Sequence, residues 1–301
     1  MYEGALSVSE PTSQLRRGLT ARASRTSEDA APLLSRAPIA GRYFLRSRLG
    51  HGGMGEVMLA DDLLLGRAVA VKRSRTPETD VRQGRRLHRE ATIAARFAHR
   101  AIVRVFDIVR EDDIDHMVLE LVTGGTLHEL VKQGPLAPIE VVRVALELAD
   151  ALACVHAQGI VHLDVKSENV LMAADRQPKL TDFGIARDEA SVLDEAQLMG
   201  TPRVMSPEQI MGGTVDTRSD LYSLGVLMYE LLTARSPFMG ECELHTLARV
   251  LHDTAPRVEA LVSVPQALDR LVAELLEKEP ARRPQRAIDV QHRLRAIAEL
   301  A

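Results

Sequence analysis

The stretch Val161 to Gly184, VHLDVKSENVLMAADRQPKLTDFG, gathers two carboxylates, an amide and a lysine: Asp164, Asp182, Asn169 and, two residues after the first aspartate, Lys166. This set suits phosphoryl transfer, in which a protein forms no covalent intermediate and has to position a hydroxyl and hold metal ions against phosphate oxygens. Asp164 would accept or orient the hydroxyl, and Lys166 would steady the moving charge. Asn169 and Asp182 would hold magnesium. His162 reads as a packed residue supporting the loop rather than as an acid or base.

Such a site needs a phosphate cradle. The segment LGHGGMGEV supplies Gly50, Gly52, Gly53 and Gly55 between two predicted strands. Backbone N–H groups can approach phosphates where no Cβ intervenes, although a flexible hairpin would use the same glycines. A dinucleotide-binding fold would place a helix straight after the glycines, whereas here a strand pattern follows. Lys72 closes the apolar run AVAV and is one of only five lysines among 38 basic residues. After a glycine loop it suits the α- and β-phosphates; an ordinary strand-end lysine would snorkel to solvent. Glu90 would fix that lysine by opposite charge, or else lie on an exposed helix face. The nearby Arg82, Arg85, Arg86 and Arg89 read as a solvated face.

The elements that must carry these residues change character along the chain. From Gly41, short apolar runs alternate with Gly- and Asp-rich turns, the pattern of an antiparallel sheet. Asp80 to Ala98 reads as one helix, and two further strand-like runs, IVRVFDIVRE and DHMVLELV, bring this part to about Val122. Beyond Gly124 and Gly125 the pattern is mostly helical. Pro138 to Gln158 carries one apolar stripe, Asp220 to Thr233 is apolar on nearly every side, and Pro265 to Lys278 and Arg286 to Leu300 are amphipathic. Asp220 would cap its helix or hold the catalytic-loop backbone. Residues 1–38, rich in Ser, Thr, Ala and Arg without a period, read as a disordered leader. Its hydroxyls near Arg16, Arg17, Arg22 and Arg25 suit phosphorylation or docking, or the segment is simply solvated.

The pattern H-x-D-x-K-x-x-N followed by D-F-G resembles the catalytic loop and metal-binding motif of protein kinases. The resemblance runs from about Gly41 to Leu300. In its VAVK, DVKSEN, GTP and SPEQ wording the chain is most similar to bacterial Ser/Thr kinases of eukaryotic type. It implies an α+β, two-lobed protein-kinase fold: a small antiparallel sheet lobe with one main helix (residues 39–122) and a larger, mainly helical lobe (123–301). It also implies ATP and magnesium, or manganese in its place, as cofactors, and Ser or Thr of proteins as acceptors. By the same resemblance Gly50, Gly52 and Gly55 would cover the phosphates, with Leu49 and Gly53 also among the nucleotide-binding residues. Val57, Ala70 and Leu171 would sandwich the purine, and Glu120 and Val122 would meet adenine through backbone atoms behind Leu119. Glu208, in SPEQ, would pair with Arg283, in EPARRP.

Two departures stand out. Position 163 is Leu where many regulated kinases carry an Arg that holds a phosphorylated activation-loop residue, because guanidinium matches phosphate geometry. The following loop offers only Ser191 and Thr201 as hydroxyls, amid Asp188, Glu189, Asp194 and Glu195. Activity is therefore expected not to need activation-loop phosphorylation. Ser167 replaces the usual Pro, a mild change. The rival is a nucleotide-binding scaffold without transfer, against which Lys72, Asp164, Asn169 and Asp182 are all intact.

Composition excludes other classes. With a net charge of -4 and only 3% aromatic residues, neither nucleic-acid binding nor a stacking surface is supported. No apolar run approaches the ~18 residues that span a bilayer, and no signal-peptide pattern opens the chain, so a cytoplasmic protein is expected. Cys154 and Cys242, in apolar helical contexts, read as buried free thiols. The oligomeric state stays open, a dimer included.

Overall fold

The computed structural model describes residues 37–52, 55–73, 81–112, 114–188 and 200–300; the leader as far as residue 36, Gly53 and Ser191 lie outside them. Five antiparallel strands, β1 Tyr43–Gly52, β2 Gly55–Asp62, β3 Arg67–Arg73, β4 Val105–Glu111 and β5 Ile114–Glu120, form one sheet in the order β1-β2-β3-β5-β4. Side chains alternate across a strand, so each strand feeds two cores. Met58, Ala60, Val69, Val71 and Val118 pack on one face with Tyr43 and Leu45. Val57, Ala70, Met117 and Leu119 pack on the other, against Leu87 and Ala91 of α1 (Val81–Ala94). Period two therefore sends Lys72 to the α1 side with Ala70.

The rest of the described chain is mainly helical: α2 Leu127–Val131, α3 Pro138–His156, α4 Pro207–Ile210, α5 Thr217–Thr233, α6 Glu243–His252, α7 Gln266–Leu275 and α8 Ala287–Glu299. Short strands β6 Ile160–Val161 and β9 Arg187–Asp188 pair at the two ends of the catalytic stretch, and β7 Val170–Met172 pairs with β8 Pro178–Leu180 within it. A small antiparallel sheet lobe with one main helix thus precedes a larger, mainly helical lobe. α5 is buried on nearly every side, as its composition implies, yet it begins three residues earlier than the apolar pattern. Its first turn is polar and is capped by Asp216, whose side chain accepts from the Arg218 N–H. Asp220 is thereby free for another task.

Gly225 lets α7 approach α5 closely. A Cβ there would lie 2.6 Å from Leu275 Cβ and 3.3 Å from the Leu275 carbonyl carbon. Gly→Ala inside a helix normally gains about 1 kcal/mol, but overpacking a rigid contact costs about 1–3 kcal/mol. Because the obstacle includes backbone, Gly225→Ala is expected to destabilise, seen as a lower urea midpoint. A midpoint at or above that of the wild type would contradict the packing argument.

Two expectations are corrected. Cys242 is exposed at the N-cap of α6 rather than buried, and Cys154 is half-buried; both are free thiols. Among the described residues no helix is long and apolar enough to cross a membrane.

Candidate active site

Lys72 and Glu90 meet because two periodicities converge. On α1, Leu87, Glu90, Ala91 and Ala94 form one buried stripe, so Glu90 faces inward rather than outward. Lys72 Nζ lies 2.6 Å from Glu90 Oε1 and 3.3 Å from Asp182 Oδ1. Burial alone would lower the Lys72 ammonium, but the carboxylates of Asp182 and Glu90 outweigh it and hold it above its ordinary value. Burial would likewise raise Asp182, and the Lys72 charge overcomes that and holds it below the ordinary carboxylate range. Both groups are thus charged at neutral pH. Of the arginines on α1, Arg86 is not simply solvated: its Nε donates to the Gly184 carbonyl at 3.1 Å.

Asp182 has a positive φ of 66°. The next residue, Phe183, is buried against Ile93, Ala94 and Phe97, with its ring 5.5 Å from that of Phe97 and 4.7 Å from His162. An apolar anchor beside the carboxylate fixes where Asp182 points. His162 is fully buried, and its imidazole also contacts the Thr181 carbonyl at 3.3 Å. It packs the loop.

The catalytic stretch is held from below by Asp220. Its two carboxylate oxygens accept from the N–H groups of His162 at 2.8 Å and Leu163 at 2.7 Å, and Oδ2 also contacts His156 Nε2 at 2.8 Å. Leu163 adopts φ 67°, a left-handed conformation that costs a non-glycine residue about 1–2 kcal/mol. The paired hydrogen bonds offset that strain. Of the two roles open to Asp220, loop holding is the one seen. The Leu163 side chain is buried with Val161, Ile185 and Val215.

Above this support, Asp164 Oδ2 accepts from Lys166 Nζ at 2.6 Å and from Asn169 Nδ2 at 2.8 Å. Asp164 Oδ1 is buried with no hydrogen-bond partner among the described residues. Lys166 Nζ also reaches Thr201 Oγ1 at 2.6 Å. Asn169 Nδ2 is committed to Asp164, so its carbonyl oxygen is the atom available to a cation. Two oxygen donors, from Asn169 and Asp182, match magnesium's habit of taking one or two protein ligands and completing its shell with phosphate and water. Among the described residues no cluster of three or more His, Cys, Asp or Glu could hold a metal by itself.

Around the cleft, Val57, Ala70 and Leu171 fall in one apolar cluster with Leu119 and Val122. Glu120 donates its N–H to the Arg104 carbonyl, and its side chain pairs with Lys179 at 3.0 Å. Gly50 lies at an irregularity in the β1–β2 register, and a Cβ there would meet nothing within 4 Å. The chain's own packing does not demand that glycine. Gly52 and Gly55 are paired at the end of the hairpin, and Leu49 is 51% exposed. Gly53 falls outside the described residues.

A protein kinase domain model matches residues 43–294. The chain belongs to the protein kinase family. It is similar to serine/threonine-protein kinase PknL of Mycobacterium tuberculosis, 39% identical over 271 residues that cover 88% of this chain and 68% of the relative. It is also similar to PrkC of Bacillus subtilis (36% over 258 residues, 84% of this chain and 40% of the relative) and PknB of Mycobacterium leprae (38% over 260 residues, 83% and 42%). The chain thus spans well under half the length of the last two. The kinase stands with the protein serine/threonine kinases, which use ATP and a divalent cation.

One set of side chains in this kinase was not foreseen. Arg203 bonds Glu168, lies 3.7 Å from Glu230 Oε2 on α5, and is 13% exposed on its side chain. A sequence signal existed: Arg203 follows Thr201 by two residues, as Glu168 follows Lys166 by two.

Proposed function

We propose that the kinase transfers the γ-phosphoryl of ATP to Ser or Thr hydroxyls of proteins, with Asp164 taking the acceptor hydroxyl. The observation that carries this reading is Asp164 Oδ1, a buried carboxylate oxygen without a hydrogen-bond partner among the described residues, beside the Lys166–Thr201 contact. An acceptor hydroxyl is the donor it lacks. In this reading residues 39–122 bind ATP and 123–301 carry catalysis and the polypeptide, with 1–38 as a leader, in a cytoplasmic protein. Gly50, Gly52 and Gly55 cover the phosphates, Leu49 and Gly53 complete the nucleotide-binding strip, and Lys72, braced by Glu90, holds the phosphates. Val57, Ala70 and Leu171 enclose the purine, and Glu120 and Val122 meet its edge behind Leu119. Asn169 and Asp182 hold magnesium, or manganese, which when bound offsets the phosphate charge. Lys166 steadies the charge that moves during transfer.

The test is phosphate incorporation into a basic carrier protein with ATP and either cation, followed by mapping of the modified residues. Ser and Thr modification supports the reading. A chain that binds nucleotide but transfers nothing would make it a scaffold.

We further propose that activity does not depend on activation-loop phosphorylation. The support is Leu163, an apolar side chain packed with Val161, Ile185 and Val215 where the family's phosphate-holding arginine would stand. Ser191→Ala is expected to keep kcat within about twofold of wild type. A collapse in rate would sink the idea.

A further inference from the structure

The segment Gly200–Val204 is fastened to the catalytic loop by alternate residues: Lys166 to Thr201, then Glu168 to Arg203. Arg203 therefore lies on the face where an acceptor must reach Asp164. Glu168 follows Asp164 by four residues, at most about 14 Å of chain, so a residue within about four positions of the acceptor in an extended polypeptide reaches it.

Around Arg203 the charge does not cancel. Two carboxylates, Glu168 and Glu230, face one guanidinium, and His128 Nδ1 stands 3.9 Å from Glu168 Oε1. Arg203 satisfies Glu168 by a direct hydrogen bond. It serves Glu230 by charge alone: Arg203 Nη1 and Glu230 Oε2 are both buried and neither has a hydrogen-bond partner among the described residues. Burial would raise the Glu168 carboxyl, but the bond and charge of Arg203 keep it below its ordinary value. The Glu168 side chain is 36% exposed and forms the opening of this group to solvent. Without Arg203, two partly desolvated acids would open toward the incoming polypeptide, and the chemistry that fits them is a second guanidinium, from the substrate.

We propose that Arg203 is a specificity-determining residue. It fills, from within the chain, an acidic pair that would otherwise select basic side chains beside the acceptor, and so makes the kinase indifferent to them. This rests on the reading that Asp164 receives the acceptor hydroxyl.

The test uses the full chain and peptides with a fixed Thr acceptor, in which Arg replaces Ala at each flanking position in turn. Wild type is expected to show kcat/KM ratios within about threefold at every position. Arg203→Ala is expected to gain a preference of about tenfold or more for Arg at one position, where a substrate charge now pairs with the acids. Adding Glu230→Gln to that variant should remove most of the gain, and Arg203→Lys should keep the wild-type profile. Loss of packing alone would not create a new charge preference. A wild type that already prefers Arg about tenfold, or an Arg203→Ala profile equal to wild type, overturns the proposal. If Arg203→Ala does not fold, wild type and Glu230→Gln decide: indifference in both supports it, and an Arg preference lost on Glu230→Gln overturns it. A wild type that phosphorylates nothing overturns this proposal together with the Asp164 reading, whereas an Arg-selective wild type overturns only the role of Arg203.

Discussion

Asp164→Asn is expected to lower kcat by about 10²–10⁴-fold, the range a positioned general base supplies, while leaving nucleotide binding in place. The size follows from how the carboxylate is used. Oδ2 already accepts from Lys166 and Asn169, both of which can only donate there. An asparagine must turn its carbonyl oxygen toward those donors, because its NH2 would oppose them. The NH2 then occupies the place of Oδ1, so a donor faces the acceptor hydroxyl where an acceptor stood. The side chain keeps its volume, its loop stays anchored by Asp220, and Lys72, Glu90 and Asp182 are untouched. The KM for ATP should therefore move little, the signature of an interaction made in the transition state. Initial rates with purified variant, beside an ATP-induced melting shift, check both halves. A kcat within about threefold of wild type would remove Asp164 from the role of base.

The parts of this site that were legible in the sequence are those governed by local period. Alternation along β3 put Ala70 and Lys72 on one face, and helical spacing put Glu90 on the stripe of Leu87, Ala91 and Ala94. The catalytic stretch was readable because several residue types recurred at fixed separations. What escaped depends on partners distant in the chain. Arg203 looks like an ordinary polar residue until α5 folds Glu230 against it. The start of α5 was missed because its first turn, Thr217 to Asp220, is polar, and only the Asp216 cap marks it. An apolar helical context makes Cys242 read as buried, but its immediate neighbours Glu241 and Glu243 are charged and, as the N-cap of α6, it lies at the surface. Asp220 had two readings that no local pattern could separate. The tertiary approach of β6 decided between them.

Arg283→Met is expected to destabilise the fold by about 3–5 kcal/mol, the cost of stranding a buried charge. Arg283 is almost fully buried and forms a two-pronged pair with Glu208, both contacts being 2.8 Å. The same guanidinium donates to the carbonyls of Arg218, Glu277 and Lys278, so it ties α4, the start of α5 and the chain after α7 into one unit. Methionine can fill the volume and replaces none of those donors. Of its side-chain partners among the described residues, Glu208 would keep the Ser219 hydroxyl, at 2.6 Å. Removing both charges, in Glu208→Gln with Arg283→Met, should cost at least about 1 kcal/mol less than the single change, because no ion is left unpaired. Acid supplies a second check. In wild type, burial raises the Glu208 carboxyl, and the Arg283 and Ser219 contacts outweigh it, so its folded value lies below the ordinary 4.5. The stability it contributes is therefore complete above that value and is lost as pH falls through the folded one. In Arg283→Met, burial acts nearly alone and the folded value rises, so protonation relieves the variant instead. The stability gap between the two proteins should accordingly narrow as pH falls toward 4.5 and below. Urea unfolding of both proteins from neutral to acid pH measures it, and a gap that widens on acidification would show that the Glu208 charge is not what the arginine compensates.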